Sequence, residues 1–224
     1  MNFLKPFSFL LLAGSLLTAC NSGVEGEKVE AEDAITNASV AGEGARYSVD
    51  AAASSINWTG SKPTGNHMGT LNITDGFLTA TDSEITGGEF NLDMGSITVT
   101  DLDGDQKASL EGHLKTGDFF EVEKYPSGKF VITDVNAVSG QPNITHNIRG
   151  NLTLKGVTKG VSIPAQIARR GDVISAVAPD FKIDRTEWGI QYNSAGLAST
   201  AKDKVIYDEI GLNLELKANK MAMQ

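Results

Sequence analysis

Residues able to do chemistry are sparse in this chain. It holds one cysteine, Cys20, and three histidines, His67, His113 and His146. Nucleophilic catalysis needs a Ser or Cys with a base and an orienting group beside it, and no Gly-x-Ser-x-Gly elbow occurs. The histidines lie far apart, without the short His/Cys spacings of a zinc site. Asp101, Asp103 and Asp105 in DLDGDQKASLEG suggest a calcium loop. An EF-hand, however, needs glycine at its sixth position and an acid at its twelfth; here Gly104 stands fourth and Gly112 twelfth. A turn leading into a helix explains the stretch better. These patterns point away from an enzyme and call for no metal and no redox cofactor.

Cys20 has a more specific setting. Lys5 supplies a positive charge, FSFLLLAGSLL a short apolar run, and Leu17-Thr18-Ala19-Cys20 has the form of a bacterial lipobox. In that reading residues 1–19 are an export signal, the Cys20 thiol is acylated, and the lipid holds the protein to a membrane. The alternative is an ordinary secretory signal with Cys20 as a bystander. A lone thiol has no intramolecular disulfide partner, and acylation removes the liability of a free one in an oxidising compartment. Residues 20–46 are rich in Gly, Ala, Ser and Glu without a sustained apolar period. They read as a flexible acidic tether. The body is one domain at 47–217, with a tail at 218–224. The net charge of −9 disfavours nucleic acid as a partner, which needs clustered Lys and Arg.

The body's dominant signal is alternation. NLTLKG (151–156) and GLNLELK (211–217) each put leucines on one face and polar residues on the other. Similar segments begin near 55, 69, 88, 128, 160 and 180. Between them stand turn signals: Thr74-Asp75-Gly76, Gly87-Gly88, Ser139-Gly140, Lys155-Gly156 and Arg170-Gly171-Asp172. One short helical segment is expected near 107–124, stopped by Pro126, with Asp118 able to cap a second turn. A sheet with so little helix must close on itself to hide its apolar faces. The expected fold is therefore all-β, an extended antiparallel barrel of about eight strands, a size whose lumen is filled by side chains or holds one small ligand.

GDFFEVEKYP (117–126) fits neither a strand nor a helix period, because Phe119 and Phe120 are adjacent. If the helical segment crosses a mouth of the barrel, the pair either closes the core or touches a ligand.

HLKTGDFFEVEKYPSGKF (113–130), IRGNLTLKGVTKGVSIP (148–164) and RTEWGI (185–190), with NHMGT (66–70) and GGEFNLDMGSI (87–97), occur in an order that resembles the YceI-like family of lipid and polyisoprenoid-binding proteins. The resemblance covers nearly all of the body. It implies a lipocalin-like barrel whose lumen holds an isoprenoid chain, such as a polyprenyl phosphate or an isoprenoid quinone, and it carries no catalytic residue over. Family members are typically exported; the lipobox and tether depart from many of them.

Strand parity selects lumen candidates for lipid contact: Trp58, Leu71, Phe90, Leu92, Phe130, Phe181 and Ile183, with Phe119 and Phe120 at the mouth. Two polar residues share the inward parity. His67 is in register with Leu71, and Arg185 with Phe181 and Ile183. They are head-group candidates for a phosphate or quinone oxygen. The alternative places Arg185 at a strand end, paired with Asp184, Glu187 or a distant carboxylate, and makes His67 a structural residue. The expected partners are an isoprenoid lipid, the envelope membrane through Cys20, and a second copy if the chain is a homodimer. A packed barrel that serves envelope partners without lipid is the competing function.

Overall fold

The computed structural model describes residues 23–36, 42–197 and 200–222. The expected signal at 1–19 and the acylation site at Cys20 lie outside the described residues. The strands, in chain order, are β1 Glu27–Lys28, β2 Glu32–Asp33, β3 Ala45–Val49, β4 Ser55–Lys62, β5 Gly65–Ala80 and β6 Ile85–Val99. Helix α1, Gly104–Leu114, follows. The rest are β7 Ser127–Ala137, β8 His146–Leu154, β9 Val157–Arg170, β10 Val173–Asp184 and β11 Glu209–Lys220.

These strands close into an eight-stranded antiparallel barrel. β3 and β4 together fill one of the eight places. Both pair with β11 and β5, and a 3₁₀ turn at Ala51–Ala53 interrupts them, where the Asp50 carboxylate accepts from the Ala53 N–H. β5 to β9 then pair in sequence, and β10 lies between β9 and β11. The last strand runs on through Ala218, Asn219 and Lys220, beyond the body end expected at 217.

Two segments read as turns are interior to strands. Thr74-Asp75-Gly76 lies within β5 at a register shift, and Gly87-Gly88 lies within β6. The reason is close approach of neighbouring backbone. A Cβ on Gly76 would stand 2.6 Å from the Glu89 carbonyl oxygen, and one on Gly88 2.4 Å from that of Phe77. Glycine here marks a bend in a long strand rather than its end. Lys155-Gly156 does form a two-residue hairpin loop, with φ of 48° and 76° as a type I′ turn requires.

The helix is shorter than the segment expected at 107–124. After Leu114 the chain turns through bonds such as Phe119 N–H to Thr116 O and Glu121 N–H to Thr116 O. Asp118 does not cap a second turn; its carboxylate lies 2.9 Å from His113 Nε2.

The larger departure is at the N-terminal side. Residues 23–36, expected as part of a flexible tether, run along the barrel. Val24 and Val29 are both buried, and β1 pairs with Phe181 and Lys182 of β10. β2 pairs with Gly160 and Lys159 of β9. The Asn151 side chain then clasps Ile35, accepting from its N–H and donating to its carbonyl, both at 2.9 Å. This strap fills a wedge where β9 and β10 part, because their mutual pairing covers only Val173↔Arg170 through Val177↔Gln166.

Candidate functional site

Inside the barrel, inward-facing residues of β4 to β11 converge on a cavity of about 430 Å³. Its long axis can be read from strand position. One end is lined by Lys62 at the end of β4, His67 near the start of β5, His113 of α1, and Tyr192. His67 and His113 are about one-third exposed there, so this end is the mouth.

All nine lumen candidates lie on the wall. Trp58, Leu71, Leu92, Phe181 and Ile183 form the middle, and the Trp58 indole N–H donates to the Thr70 carbonyl at 3.2 Å. Phe90 and Phe130 close the inner end, their ring centroids 5.3 Å apart. Phe119 and Phe120 stand on the wall beside α1. Phe119 is buried in an aromatic cluster, with centroids 5.1 Å from His113 and 5.4 Å from Tyr192. Phe120 is half-buried. The adjacent pair thus serves as core and as cavity wall, because the turn after α1 aims both rings inward where a strand or helix would separate them.

Arg185 reaches the cavity wall from the 3₁₀ turn Arg185–Trp188 and is only 4% exposed. Its Nε donates to Tyr207 O at 3.2 Å, one terminal nitrogen to Ile190 O at 2.7 Å, and the other to Ile206 O at 3.1 Å and Asp208 Oδ1 at 3.3 Å. Burial draws the guanidinium below its ordinary pKa, opposed by Asp208 and then Asp184. Three carbonyls and a carboxylate therefore meet its charge within the protein. A buried guanidinium requires partners of this kind, and here they come from the loop before β11. Asp184, one of the nearby acids, instead caps the turn by accepting from the Thr186 N–H and hydroxyl.

His67 is held at the rim, with Nδ1 2.9 Å from Asp101 Oδ2. The other oxygen of Asp101 accepts from the Met68 N–H at 2.8 Å. Desolvation tends to raise the Asp101 pKa, yet the bonds from Met68 and His67 outweigh it and leave the carboxyl below the ordinary value. Asp101 is thus tied into the rim. Among the described residues no cluster of three or more His, Cys, Asp or Glu side chains could hold a metal.

Tyr192, His113 and Lys62 were not selected from sequence. Tyr192 lies in an irregular loop with no period to follow, His113 is one polar residue on a helix, and Lys62 ends a strand whose inward face is otherwise apolar.

A YceI-like domain matches residues 47–218. Among curated proteins, a UPF0312 protein of Pseudomonas aeruginosa is 45% identical over 65 residues, 29% of this chain and 32% of that protein. Protein YceI of Escherichia coli O157:H7 is 33% identical over 104 residues, 46% of this chain and 50% of its own length. The chain therefore spans about a third to a half of the length of these relatives. Two solved structures share the fold. Burkholderia cenocepacia BcnA aligns with a TM-score of 0.60 at 20% identity, over 76% of this chain and 99% of that one. A polyisoprenoid-binding domain of Saccharophagus degradans, implicated in plant cell wall breakdown, aligns at 0.55 and 18% identity, over 78% and 98%. The extent of the domain match, on a barrel of the same architecture, makes this chain a member of the YceI-like family.

Proposed function

We propose that this protein binds an amphiphilic isoprenoid lipid of the polyprenyl phosphate or isoprenoid quinone type, with its tail in the barrel lumen and its head at the mouth. The observation that carries the reading is the cavity itself. At about 430 Å³ it falls within the range of small-molecule sites, which bury most of their ligand against apolar walls and fix orientation with a few polar groups. Apart from Ser61 and the internally paired Arg185, its wall is aliphatic and aromatic except near the mouth, where Lys62, His67 and His113 gather. A tail without polar atoms suits that wall, since each buried methylene contributes about 0.8 kcal/mol. The polyisoprenoid binding stated for the Saccharophagus domain agrees in ligand class. Arg185, saturated by protein partners, acts in this reading as a brace for the rim loop rather than as the primary head-group ligand. The role is binding, for storage, sensing or local transfer, with no reaction catalysed.

Acylation at Cys20 belongs to the same proposal and places the protein in the bacterial envelope. Gly23 lies against Ser61, next to Lys62 at the mouth, with Ser61 Oγ 3.5 Å from where a Gly23 Cβ would stand. From Cys20 to Gly23 the chain reaches at most about 10 Å. An anchor there holds the mouth close to the bilayer, which favours transfer to and from the adjacent leaflet over long-range shuttling.

The test is gentle purification of the full mature chain from a bacterial envelope, native mass spectrometry, and organic extraction of any bound lipid. An isoprenoid at near one per protein, with an acylated Cys20 peptide in the digest, is the expected result. Protein that is ligand-free and refuses added isoprenoid alcohols and quinones overturns the lipid reading and turns the search to protein partners.

A further inference from the structure

The barrel contains a second, smaller cavity of about 30 Å³ beyond the first. It lies towards the end away from the mouth, between Leu78, Ile132, Ala176 and Leu216. Four residues line both spaces: Phe90, Phe130, Ile163 and Leu214. The two phenyl rings, tilted by 33° with centroids 5.3 Å apart, are the bulkiest part of that partition.

We propose that the Phe90–Phe130 pair is the floor of the ligand cavity and sets the longest tail the lumen accepts. This inference rests on the lipid-binding reading above and adds a determinant of tail length to it. Three features support a floor rather than incidental packing. The two rings stand side by side as register partners on β6 and β7, and both border the large cavity and the small one. The Phe130 ring leans into a notch at Gly150, where a Cβ would meet its Cζ at 2.3 Å, so its position depends on a residue without a side chain. Below the rings, Ala165, Ala176 and Ala178 stand among larger aliphatic side chains and border the small void. A tail advancing from the mouth meets the two rings before it can reach that space. Removing either ring joins the two cavities into one longer tunnel.

The experiment measures affinity for a ladder of isoprenoid alcohols, geraniol, farnesol, geranylgeraniol and longer homologues, on the full mature chain. In the wild type, affinity rises with each added unit until the tail reaches the rings and then levels or falls. Phe130→Ala moves that break to a longer homologue by at least one isoprene unit. Its gain for that homologue is about tenfold or more, since two newly buried methylenes convert to at least that. Phe90→Leu shifts the break in the same direction at smaller structural cost. Ala178→Leu, added to Phe130→Ala, refills the lower space and returns the break to its wild-type place. A break at the same homologue in wild type and in folded Phe130→Ala or Phe90→Leu protein overturns the floor. If the wild type binds no member of the ladder, the lipid reading falls, and xenon-pressurised crystals judge the floor alone, because xenon enters dry apolar cavities. Joined xenon density in Phe90→Leu, against separated sites in the wild type, then supports the floor, and separated sites in both overturn it.

Discussion

The two seams flanking β9 differ along their length. Against β8, β9 pairs without interruption from His146↔Ala165 to Leu154↔Val157, ending in a two-residue hairpin. Against β10 it pairs only from the hairpin at Val173↔Arg170 to Val177↔Gln166 and then parts. Both seams start at a two-residue hairpin that fixes register, and only the first goes on adding pairs along the whole of its shorter strand. The second opens towards the mouth, and other segments cover it. The strap inserts Glu27–Lys28 and Glu32–Asp33 against the two free edges and buries Val29 between them. The turn after β10 adds Trp188, fully buried, whose indole N–H donates to Leu152 O of β8 at 3.0 Å, and Glu187, which pairs with Lys159 of β9 at 3.2 Å. Unpaired strand edges invite pairing by whatever chain segment is near. Here the protein's own N-terminal segment takes them.

Breaking the covers of the open seam should cost more than comparable changes along the closed one. Trp188→Ala removes the largest of them together with its hydrogen bond to the Leu152 carbonyl. Denaturant unfolding should show a loss of about 3 to 5 kcal/mol; a loss under about 1 kcal/mol would mean the turn is not needed to hold β10 to β8. Next in size is Val29→Asp, which buries a carboxylate without a partner unless the strap lifts away. Lifting is the cheaper response, so hydrogen exchange at residues 159–160 and 181–182 should accelerate at least about tenfold. Exchange on the β8 side of the β8–β9 ladder, at residues 146–154, should stay unchanged, and equal acceleration there would show that the two seams are one cooperative unit.

Asn151→Ala cuts the two hydrogen bonds that hold Ile35. Each such bond is worth about 0.5 to 1.5 kcal/mol, so limited proteolysis within 23–36 should speed up while global unfolding shifts little. The smallest effect belongs to the paired side of the mouth. Asp101, its pKa lowered by the bonds from Met68 and His67 against desolvation, contributes stability that is fully present above about pH 4, the unfolded carboxyl value. That contribution is lost as pH falls through the lower folded value. The Met68 amide signal followed by NMR should show a transition below about pH 4, and Asp101→Asn should remove that transition.

Much of the cavity was legible because side-chain parity is local. In a strand, alternate residues face one way, so Phe90 and Leu92 on β6, or Phe181 and Ile183 on β10, could be given a common face before any pairing was known. The Lys155-Gly156 turn was legible for the same reason, since its two positive φ values depend on the residues themselves. Glycines at 76 and 88 misled, because the same residue type serves a turn and a close backbone approach, and only the neighbouring strand tells them apart.

The sequence by itself determined the alternation of the strands, the inward set of side chains and the membership of Phe119 and Phe120 in an apolar interior. Tertiary structure alone decided what those features enclose. Val24 and Val29 are isolated apolar residues in a Gly- and Glu-rich stretch; Val29 acquires a place only when β9 and β10 leave edges to fill, and Val24 only where Gly211 of β11 leaves room for it. The partners of Arg185 come from residues 190 and 206–208, brought to it by the return of the chain into β11. Whether the lumen is filled or hollow depends on the summed volumes of side chains from nearly every strand, and on a ring that leans over Gly150 from the next strand. Parity is a property of a few consecutive residues, whereas edges, partners and volumes belong to elements far apart in the chain and exist only once the barrel has closed.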